Sequence, residues 1–380
     1  MKILCIDIGT GTQDILLLDT RLGIENGFKM VVPSPTMIVR RRIQAAAARK
    51  EPILLTGVTM GGGPSHWAVE DHLAAGLAVY ATGPAGKSFN DDPDELKAMG
   101  ITLVSDDEAW RLSRMIYTFE LKDLDLGTIR ESFKHFGVAL EPLTLIAVAV
   151  FDHGAAPPGT SDRKYRFEYI EKIITDHNRL SAFAYPAEQV PDRMTRMQAV
   201  VDSATDRDAP LMLMDTAPAA ICGALLDPIA ARPVRRVVAN IGNFHTLAFR
   251  FGGEGIEGVF EHHTGIMNPE KLDGLTRSLA DGTLTDEAVF QDQGHGARIL
   301  TGTSLELGRT PGDLVVVGPR RRLMAGSDLK PYFAAPFGDM MLVGCFGMLS
   351  AACEVFPDLR DTLDPVLSDR GDSGTAPWDD

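Results

Sequence analysis

An acid followed by a turn rich in glycine and threonine lies close to the start of the chain. Residues 7–12 read Asp-Ile-Gly-Thr-Gly-Thr, with one apolar run directly before them and another directly after. This order predicts a strand, a tight turn and a second strand. Gly9 and Gly11 would let a ligand approach the backbone, because glycine places no Cβ in the way.

The polar groups of this turn predict an anion site with a cation beside it. Thr10 and Thr12 add hydroxyl donors, and successive N–H groups of such a turn form a concave nest for oxyanions. Asp7, at the end of the first strand, would hold Mg²⁺ through water, since this ion prefers oxygen ligands. An ordinary hairpin with a glycine-rich turn is the alternative interpretation.

A second segment repeats this opening. Residues 240–246 read Asn-Ile-Gly-Asn-Phe-His-Thr between two apolar runs, with an amide where the first segment has an acid. An internal duplication of this kind predicts two hairpins that face each other across a cleft. Gly242 and Asn243 are then the candidates to lie opposite the first turn.

Composition limits the class of protein. The chain has 380 residues, of which 44% are hydrophobic and 23% charged, as in an ordinary soluble protein. The net charge of -15 argues against a nucleic-acid partner, which needs clustered Lys and Arg. No apolar run approaches the ~20 residues of a membrane-spanning helix, and the apolar stretch at the N-terminus is too short for a signal peptide. We therefore expect no membrane partner and a cytoplasmic location.

The order of predicted elements indicates an α/β protein. Strands separated by helices over the first third of the chain imply parallel βαβ units. A near-continuous apolar run at 143–151 predicts a strand buried on both faces. A second α/β section begins near Val234 with three closely spaced strands. The tail from Ser368, rich in Gly, Ser, Asp and Pro, is predicted to be disordered.

Five motifs together resemble the actin-like ATPase superfamily, which includes sugar kinases, heat-shock chaperone ATPases and actin. Residues 7–12 and 240–246 resemble its two phosphate loops. Residues 215–223 and 341–352, rich in Ala and Gly, resemble the two helices that connect the lobes. Residues 314–323 resemble the strand, glycine and helix that hold the adenosine. The motifs occur in the order typical of the superfamily.

The resemblance implies a two-lobed actin-like ATPase (ribonuclease H-like) α/β fold with an α/β insertion in the first lobe. The first lobe would comprise residues 1–233 and 340–367, with the insertion at 33–140. The second lobe would comprise residues 234–339, and residues 368–380 would form the disordered tail. ATP or ADP with Mg²⁺ would bind in the cleft between the lobes, and lobe closure would be the mechanical output.

The resemblance also implies roles for single residues. Asp7 would bind Mg²⁺ through water, and Asp215 would orient the attacking water as a base. The residues expected to contact the nucleotide are Gly9, Thr10, Gly11, Thr12, Asn240, Gly242, Asn243, Gly318 and Arg320. The second phosphate loop of the superfamily normally begins with Asp. Because Asn240 stands there instead, we expect any hydrolysis to be slow.

More narrowly, the chain resembles a family labelled as pyruvate formate-lyase activating protein, in residues 7–14, 56–64, 261–265 and 294–296. Glycyl-radical activating enzymes resemble one another in a closely spaced cysteine cluster that binds a [4Fe–4S] centre, and such a centre needs thiolate ligands. The four cysteines here are scattered: Cys5, Cys222, Cys345 and Cys353. We therefore expect no iron–sulfur cluster.

A run of three glycines could form a second anion site. Gly61, Gly62 and Gly63 lie between a predicted strand and a predicted helix, for which Ser65 is the candidate N-cap. A glycine-rich loop at a helix N-terminus binds anions. A tight strand-to-helix turn is the alternative.

Histidines are concentrated in the predicted second lobe, and they could bind a metal or contact a ligand. They are His245, His262, His263 and His295. Their spacing matches no known set of metal ligands, so hydrogen-bonded loop histidines are the alternative.

Three classes of function stay open. The first is a slow ATPase that couples lobe closure to a partner protein or small ligand, and it should show an exposed apolar patch outside the cleft. The second is a small-molecule phosphotransferase, which needs an acid at the cleft; Asp152 and Asp215 are the candidates. The third is a non-catalytic ligand-binding module, which Asn240 favours.

Overall fold

A computed structural model describes residues 1–157 and 159–368 of the chain. The predicted tail at 368–380 lies outside the described residues except for Ser368. Within the described residues the strands are β1 Lys2–Ile8, β2 Thr12–Asp19, β3 Phe28–Pro33, β4 Ile53–Gly57, β5 Val79–Thr82, β6 Ile101–Val104, β7 Tyr117–Leu121, β8 Leu145–Val150, β9 Ala184–Pro186, β10 Leu211–Asp215, β11 Arg236–Ile241, β12 His245–Gly252, β13 Gly255–His263, β14 Gly296–Ile299, β15 Leu314–Val317 and β16 Tyr332–Phe333.

The α-helices are interspersed with these strands along the whole described chain. They are α1 Pro35–Ala48, α2 Pro64–Ala74, α3 Gly83–Gly86, α4 Pro93–Ala98, α5 Asp106–Leu112, α6 Leu126–His135, α7 Asp162–His177, α8 Thr195–Ser203, α9 Thr216–Ala224, α10 Pro269–Asp281, α11 Asp286–Gln291, α12 Val343–Val355 and α13 Arg360–Leu367.

The first sheet has the strand order β3-β2-β1-β8-β10-β9. Strands β1, β2 and β3 form an antiparallel meander, while β8 lies parallel to β1 and β10 lies parallel to β8. Every residue of β8 is buried, and alternate residues enter two different hydrophobic clusters. The strand predicted at 143–151 is thus confirmed as one covered on both faces, which is why its sequence is a continuous apolar run.

The second sheet repeats this plan in the order β14-β13-β12-β11-β15-β16. Its strands β11, β12 and β13 form the antiparallel meander, and β15 and β16 continue in parallel from β11. Five strands of each sheet share one arrangement, β3-β2-β1-β8-β10 in the first and β13-β12-β11-β15-β16 in the second, and β9 and β14 are added at the edges. This arrangement confirms the duplication predicted from the two openings. Together the two sheets form the two-lobed actin-like ATPase (ribonuclease H-like) fold.

A third, smaller sheet is formed by the segment predicted to be an α/β insertion. Its four strands are all parallel, in the order β6-β5-β4-β7. This sheet has its own hydrophobic cluster, which includes Val39, Ile43, Val69 and Leu96. The βαβ pattern predicted for this part of the chain is confirmed.

Helices α9 and α12, the two predicted connecting helices, cross at very short range. A Cβ at Gly223 would overlap the carbonyl oxygen of Val343, and a Cβ at Gly347 would overlap that of Ala219. Glycine at both positions is therefore a packing requirement. This explains why small residues recur in both segments.

One local prediction was wrong, because helix α2 is not capped by Ser65. The helix begins at Pro64, and its N-cap is Gly63 with a φ of 58°. Proline is favoured at the first helical position because its missing N–H would have no partner there. Glycine at the N-cap can adopt this positive φ without steric cost, because it has no Cβ. The hydroxyl of Ser65 instead donates to the carbonyl oxygen of Gly62 over 3.2 Å.

Candidate functional site

A cleft opens between the two duplicated hairpins. It is lined by Asp7 and residues 9–12 from the first hairpin, by Asn240 and residues 242–245 from the second, and by Gly318 and Pro319 beside them. The cleft encloses about 1160 Å³ of space, part of it open to solvent. The cleft is thus concave and has walls from both hairpins, which is the form that sites for small molecules and cofactors take.

The two turns share one hydrogen-bond pattern. The Gly9 N–H donates to the carbonyl oxygen of Thr12 over 2.9 Å, and the Gly242 N–H donates to that of His245 over the same distance. The turns also meet at their tips, since a Cβ at Gly11 would lie 2.8 Å from the side-chain nitrogen of Asn243. Equivalent turns thus form opposite walls of the cleft, as the duplication predicted.

Asp7 shares the floor of the cleft with a second acid. Asp14 pairs with Asp7 across the hairpin, both are 8% exposed, and both line the cleft. The hydroxyl of Thr216 donates to Asp7 Oδ1 over 2.6 Å, and Gly344 at the start of α12 lies against the other oxygen, where a Cβ would overlap it. Asp14 Oδ1 is buried and has no hydrogen-bond partner among the described residues.

The two carboxyls are electrostatically coupled. Burial raises the pKa of Asp7 to about 7, although the hydrogen bond from Thr216 opposes the shift. Burial and the charge of Asp7 raise the pKa of Asp14 to about 8. Two adjacent carboxyls that resist ionisation, one with an unpaired oxygen, fit a divalent cation, because a dication favours the charged form of both. Sequence reasoning missed Asp14, although counting outward from the turn pairs residue 14 with residue 7.

Asp215 lies outside the lining of the cleft. It is fully buried at the end of β10, accepts a hydrogen bond from the Ala217 N–H over 3.2 Å as the N-cap of α9, and pairs with the guanidinium of Arg166. Burial raises the pKa of Asp215, and Arg166 opposes that shift. Arg166 also pairs with Glu261 over 3.2 Å and thereby joins the first sheet to the second. This environment favours a structural role, and a base role for Asp215 stays an untested prediction.

The other candidate base, Asp152, is likewise held inside the protein. It is 2% exposed, and its carboxylate accepts hydrogen bonds from the backbone N–H groups of Gly154 over 2.8 Å and Met197 over 2.9 Å. Both oxygens therefore already have donors. The acids that line the cleft among the described residues are Asp7, Asp14 and Asp123.

The adenosine motif reaches the cleft through its glycine. Gly318, at a φ of 98°, lies so close to β11 that a Cβ would overlap the carbonyl oxygen of Ile241. The backbone N–H of Arg320 donates to this oxygen over 3.0 Å, whereas the Arg320 side chain is exposed and does not line the cleft. Asn240 lies beside Gly318 and lines the same wall.

The three-glycine loop belongs to the same cleft. Gly61, Gly62 and Gly63 line it, and a Cβ at Gly63 would meet both Thr10 and Phe244 at 3.7 Å. The insertion thus covers the tips of both turns.

A carboxylate of the protein, that of Asp123, already accepts a hydrogen bond at one end of this loop. The Gly61 N–H donates to the carboxylate of Asp123 over 3.2 and 3.3 Å. Asp123 is held in turn by Arg196, whose Nε lies 2.7 Å from a carboxylate oxygen. The predicted second anion site therefore forms a third wall of the main cleft rather than a separate site. Sequence reasoning missed both Asp123 and Arg196, which lie far apart along the chain.

The structure brings together a histidine set that differs from the predicted one. Ring nitrogens of His153, His245 and His295 all lie within 4.8 Å of one another. His263 lies alongside, with its ring centroid 4.7 Å from that of His295. His262 instead directs Nε2 to Asp292 over 3.1 Å.

His153 was missed, although a signal for it existed. It follows β8, whose last residue, Val150, pairs with Ile8 at the end of β1. Residues that follow neighbouring parallel strands meet at one edge of a sheet.

Comparison with protein families places these residues in a known group. A family model described as "Putative pyruvate format-lyase activating enzyme (DUF1786)" matches residues 60–323, more than half of the chain. The chain belongs to the DUF1786 family. No curated protein matches it at a significant level.

Two solved structures resemble this DUF1786 protein. One is the activator of the 2-hydroxyisocaproyl-CoA dehydratase from Clostridium difficile with bound ADPNP, at 10% identity, with 96% of this chain and 97% of that chain covered and a TM-score of 0.34. The other is the ethanolamine utilization protein EutJ from Carboxydothermus hydrogenoformans, at 13% identity, with 92% and 89% covered and a TM-score of 0.32.

The cysteines of this DUF1786 protein do not fit an iron–sulfur cluster. Cys5 lies on β1, Cys222 on α9, and Cys345 and Cys353 on α12. Among the described residues, which include all four cysteines, the one group of three or more potential metal ligands is the histidine set. Burial raises the pKa of Cys222 to about 11 and that of Cys353 to about 12, so these thiols stay protonated. The absence of a cluster stays a prediction, which iron and sulfide analysis of the purified protein would check.

Over residues 1–157 and 159–368, no helix is both long and apolar enough to span a membrane.

Proposed function

We propose that this DUF1786 protein binds ATP or ADP together with Mg²⁺ in the cleft between its duplicated hairpins, and that it is a slow ATPase whose lobe closure acts on a partner protein or small ligand. The observation that carries the proposal is the pair of equivalent glycine turns, which face each other across a cleft with two coupled carboxyls at its floor. In this proposal the first lobe comprises residues 1–233 and 340–367, and the second comprises residues 234–339.

The first turn supplies the groups that phosphate oxygens require. Residues 9–12 line one wall, and Gly242 and Asn243 line the other. Backbone N–H groups in such turns bind oxyanions without any charged side chain. Asp7 and Asp14 would hold Mg²⁺, which when bound neutralises phosphate charge. The Asp14 oxygen that lacks a partner would then gain one.

Hydrolysis is slow in this proposal because the acids other than Asp7 and Asp14 are already bonded within the protein. Asn240 offers an amide where an acid would help to organise water, and Asp215 and Asp152 are bonded within the protein. Asp123, the third acid of the lining, is paired with Arg196. Hydrolysis therefore proceeds without a dedicated base, and nucleotide occupancy rather than turnover sets the state of the lobes.

An exposed apolar segment supports a protein partner. Trp110 is 60% exposed, Met115 is 81% exposed and Tyr117 is 46% exposed, all on the segment from α5 to β7. This segment lies on the small third sheet and does not line the cleft. An apolar patch outside the cleft is the feature that favours a partner-coupled ATPase over the other two classes.

A second cavity gives the phosphotransferase alternative its support. It holds about 1980 Å³, part of it open to solvent, and meets the cleft at Phe151, His153 and Arg196. A phosphate acceptor could lie there beside the nucleotide. Label from the γ-phosphate of ATP would then appear in an organic product, whereas hydrolysis delivers it as inorganic phosphate.

Thermal unfolding with nucleotide tests the proposal. A ligand that binds only the folded state raises the free energy of unfolding by about 2.7 kcal/mol at 100 times its Kd. We expect ATP or ADP with Mg²⁺ to raise the Tm, and Asp7→Asn to remove most of the part that depends on Mg²⁺. Asp94→Asn is the matched control, since that carboxylate is exposed on α4. An unchanged Tm at millimolar nucleotide would contradict the proposal and leave a ligand-binding module.

A further inference from the structure

The histidine cluster converges from both sides of the cleft. His153 lies in the loop after β8 of the first sheet, whereas His245 begins β12 and His295 directly precedes β14 of the second. Their ring nitrogens lie within 4.8 Å of one another. Three imidazoles are the donor set of one class of catalytic zinc site, in which the protein supplies three ligands and leaves one position open.

The buried members of the cluster lack partners. His245 Nε2 and both ring nitrogens of His295 are buried and have no hydrogen-bond partner among the described residues, and His295 is only 1% exposed. Buried polar groups of native proteins almost always have partners. A ring of Phe151 stacks on His245 at 4.0 Å between centroids and holds that imidazole in place. The unpaired nitrogens therefore indicate a bound group at this point.

The positive charge beside the cluster is offset within the protein. The guanidinium of Arg166 lies over the ring of Phe151, and it pairs with the carboxylates of Asp215 and Glu261.

We propose that His153, His245 and His295 bind one divalent transition-metal ion of the Zn²⁺ type, with an open coordination position that faces the cleft. Nitrogen ligands favour such ions, whereas the oxygen ligands Asp7 and Asp14 favour Mg²⁺, so the two sites are chemically distinct. His153 is exposed, and together with His245 it lines the cleft, so the open position is directed toward the space for a phosphate oxygen. The ion links a loop of the first sheet to strands of the second.

Metal titration tests this site without any nucleotide, so its outcome is independent of the proposed function. Tag-free protein is stripped with a chelator and titrated with Zn²⁺ or Co²⁺, and bound metal is quantified by mass spectrometry. We expect one ion per chain, with the visible spectrum of Co²⁺ in a nitrogen–oxygen environment. Adding inorganic phosphate should change this spectrum if the fourth position is open, and an unchanged spectrum would overturn that part of the proposal.

Variants assign the ligands. His153→Ala and His295→Ala should each weaken metal binding on the order of 100-fold or more, since even changes behind the ligands cost 10–100-fold. His153 is exposed, so its variant should fold even where the His295 variant does not. His135→Ala, on the surface of α6, is the matched control and should bind as the native chain does. Retention of the ion by His153→Ala, its loss in His135→Ala, or a sulfur-to-cobalt absorption band would each overturn the proposal.

Discussion

The two hairpins share a backbone and differ in chemistry. In the first, Asp7 pairs with Asp14 across the strands, and in the second the equivalent pair is Asn240 with Leu247. At the tips, the first turn has Gly11 where the second has Phe244. The duplicated turn thus has the same glycine and the same hydrogen bond, while the acids able to bind Mg²⁺ lie on the first side only.

This difference distinguishes the backbone geometry that the two turns share from the side-chain chemistry that sets their ligands. The N–H group of Gly9 and that of Gly242 close their turns in the same way, so the geometry depends on the backbone. The side chains around each turn then decide its ligand. Acids make the first wall a candidate magnesium and phosphate site, and histidines make the second wall part of a candidate transition-metal site.

Restoring the missing acid should give the largest effect. Asn240→Asp makes the second hairpin resemble the first, and we expect nucleotide turnover to rise on the order of 10²-fold, as preorganised groups of this kind contribute. Release of inorganic phosphate and nucleotide affinity would be measured together. Gln189→Glu, the same amide-to-acid change at an exposed position outside the lining of the cleft, is the control. No change in turnover alongside confirmed binding would mean that the cleft acts as a sensor. A loss of stability would mean that Asn240 has a structural role.

The sequence predicted features that depend on near neighbours in the chain. The duplicated hairpins, the small residues of α9 and α12 and the apolar strand β8 each have a local pattern, and the structure has all of them. Helices α5 and α6 and strand β7 were not predicted, although local signals were present: Ser105 and Glu108 form a capping box at α5, and α6 buries Leu126, Ile129 and Phe133.

Apart from Asp14, which pairs with Asp7 inside one hairpin, the parts of the site that escaped prediction depend on contacts between distant segments. Asp123 meets Arg196 across 73 positions of the chain. His153 meets His295 only because two different sheets form the cleft. Neither pair leaves a local pattern in the sequence. Asp215 is the opposite case. Its motif predicted a catalytic base, whereas its buried ion pair with Arg166 indicates a structural role.

Exchanging the turn tips should have the next largest effect. Gly11→Phe gives the first turn the residue of the second, and its ring would fill the space above the phosphate nest and displace Asn243. We expect the Kd for nucleotide to rise at least about tenfold, or about 1.4 kcal/mol. The reverse change, Phe244→Gly, removes contacts with Trp67 and should lower stability by about 1 kcal/mol while it leaves the Kd nearly unchanged. Titration calorimetry measures both variants. Equal effects of the two exchanges would show that the turns bind phosphate equally and would contradict the comparison.

The last comparison concerns pH, because the first hairpin carries a titrating pair of acids where the second has Asn240 and Leu247. The folded-state pKa values, about 7 for Asp7 and about 8 for Asp14, lie above the ordinary value of 3.8 expected in the unfolded chain. The folded protein therefore holds protons that the unfolded chain has released, so this contribution to stability is lost as pH rises from about 4 to about 8. One such proton changes the free energy of unfolding by at most about 1.4 kcal/mol per pH unit. Asp14→Leu, which copies Leu247 of the second hairpin, should flatten the fall relative to the native chain, and other titrating groups cancel in that difference. Mg²⁺ should flatten the fall in the native chain as well, because it binds the ionised pair. Denaturant unfolding across this pH range measures the free energy of unfolding of both chains. If it falls equally with pH in the native chain and in Asp14→Leu, the two acids ionise freely. The first hairpin would then respond to pH no more than the second.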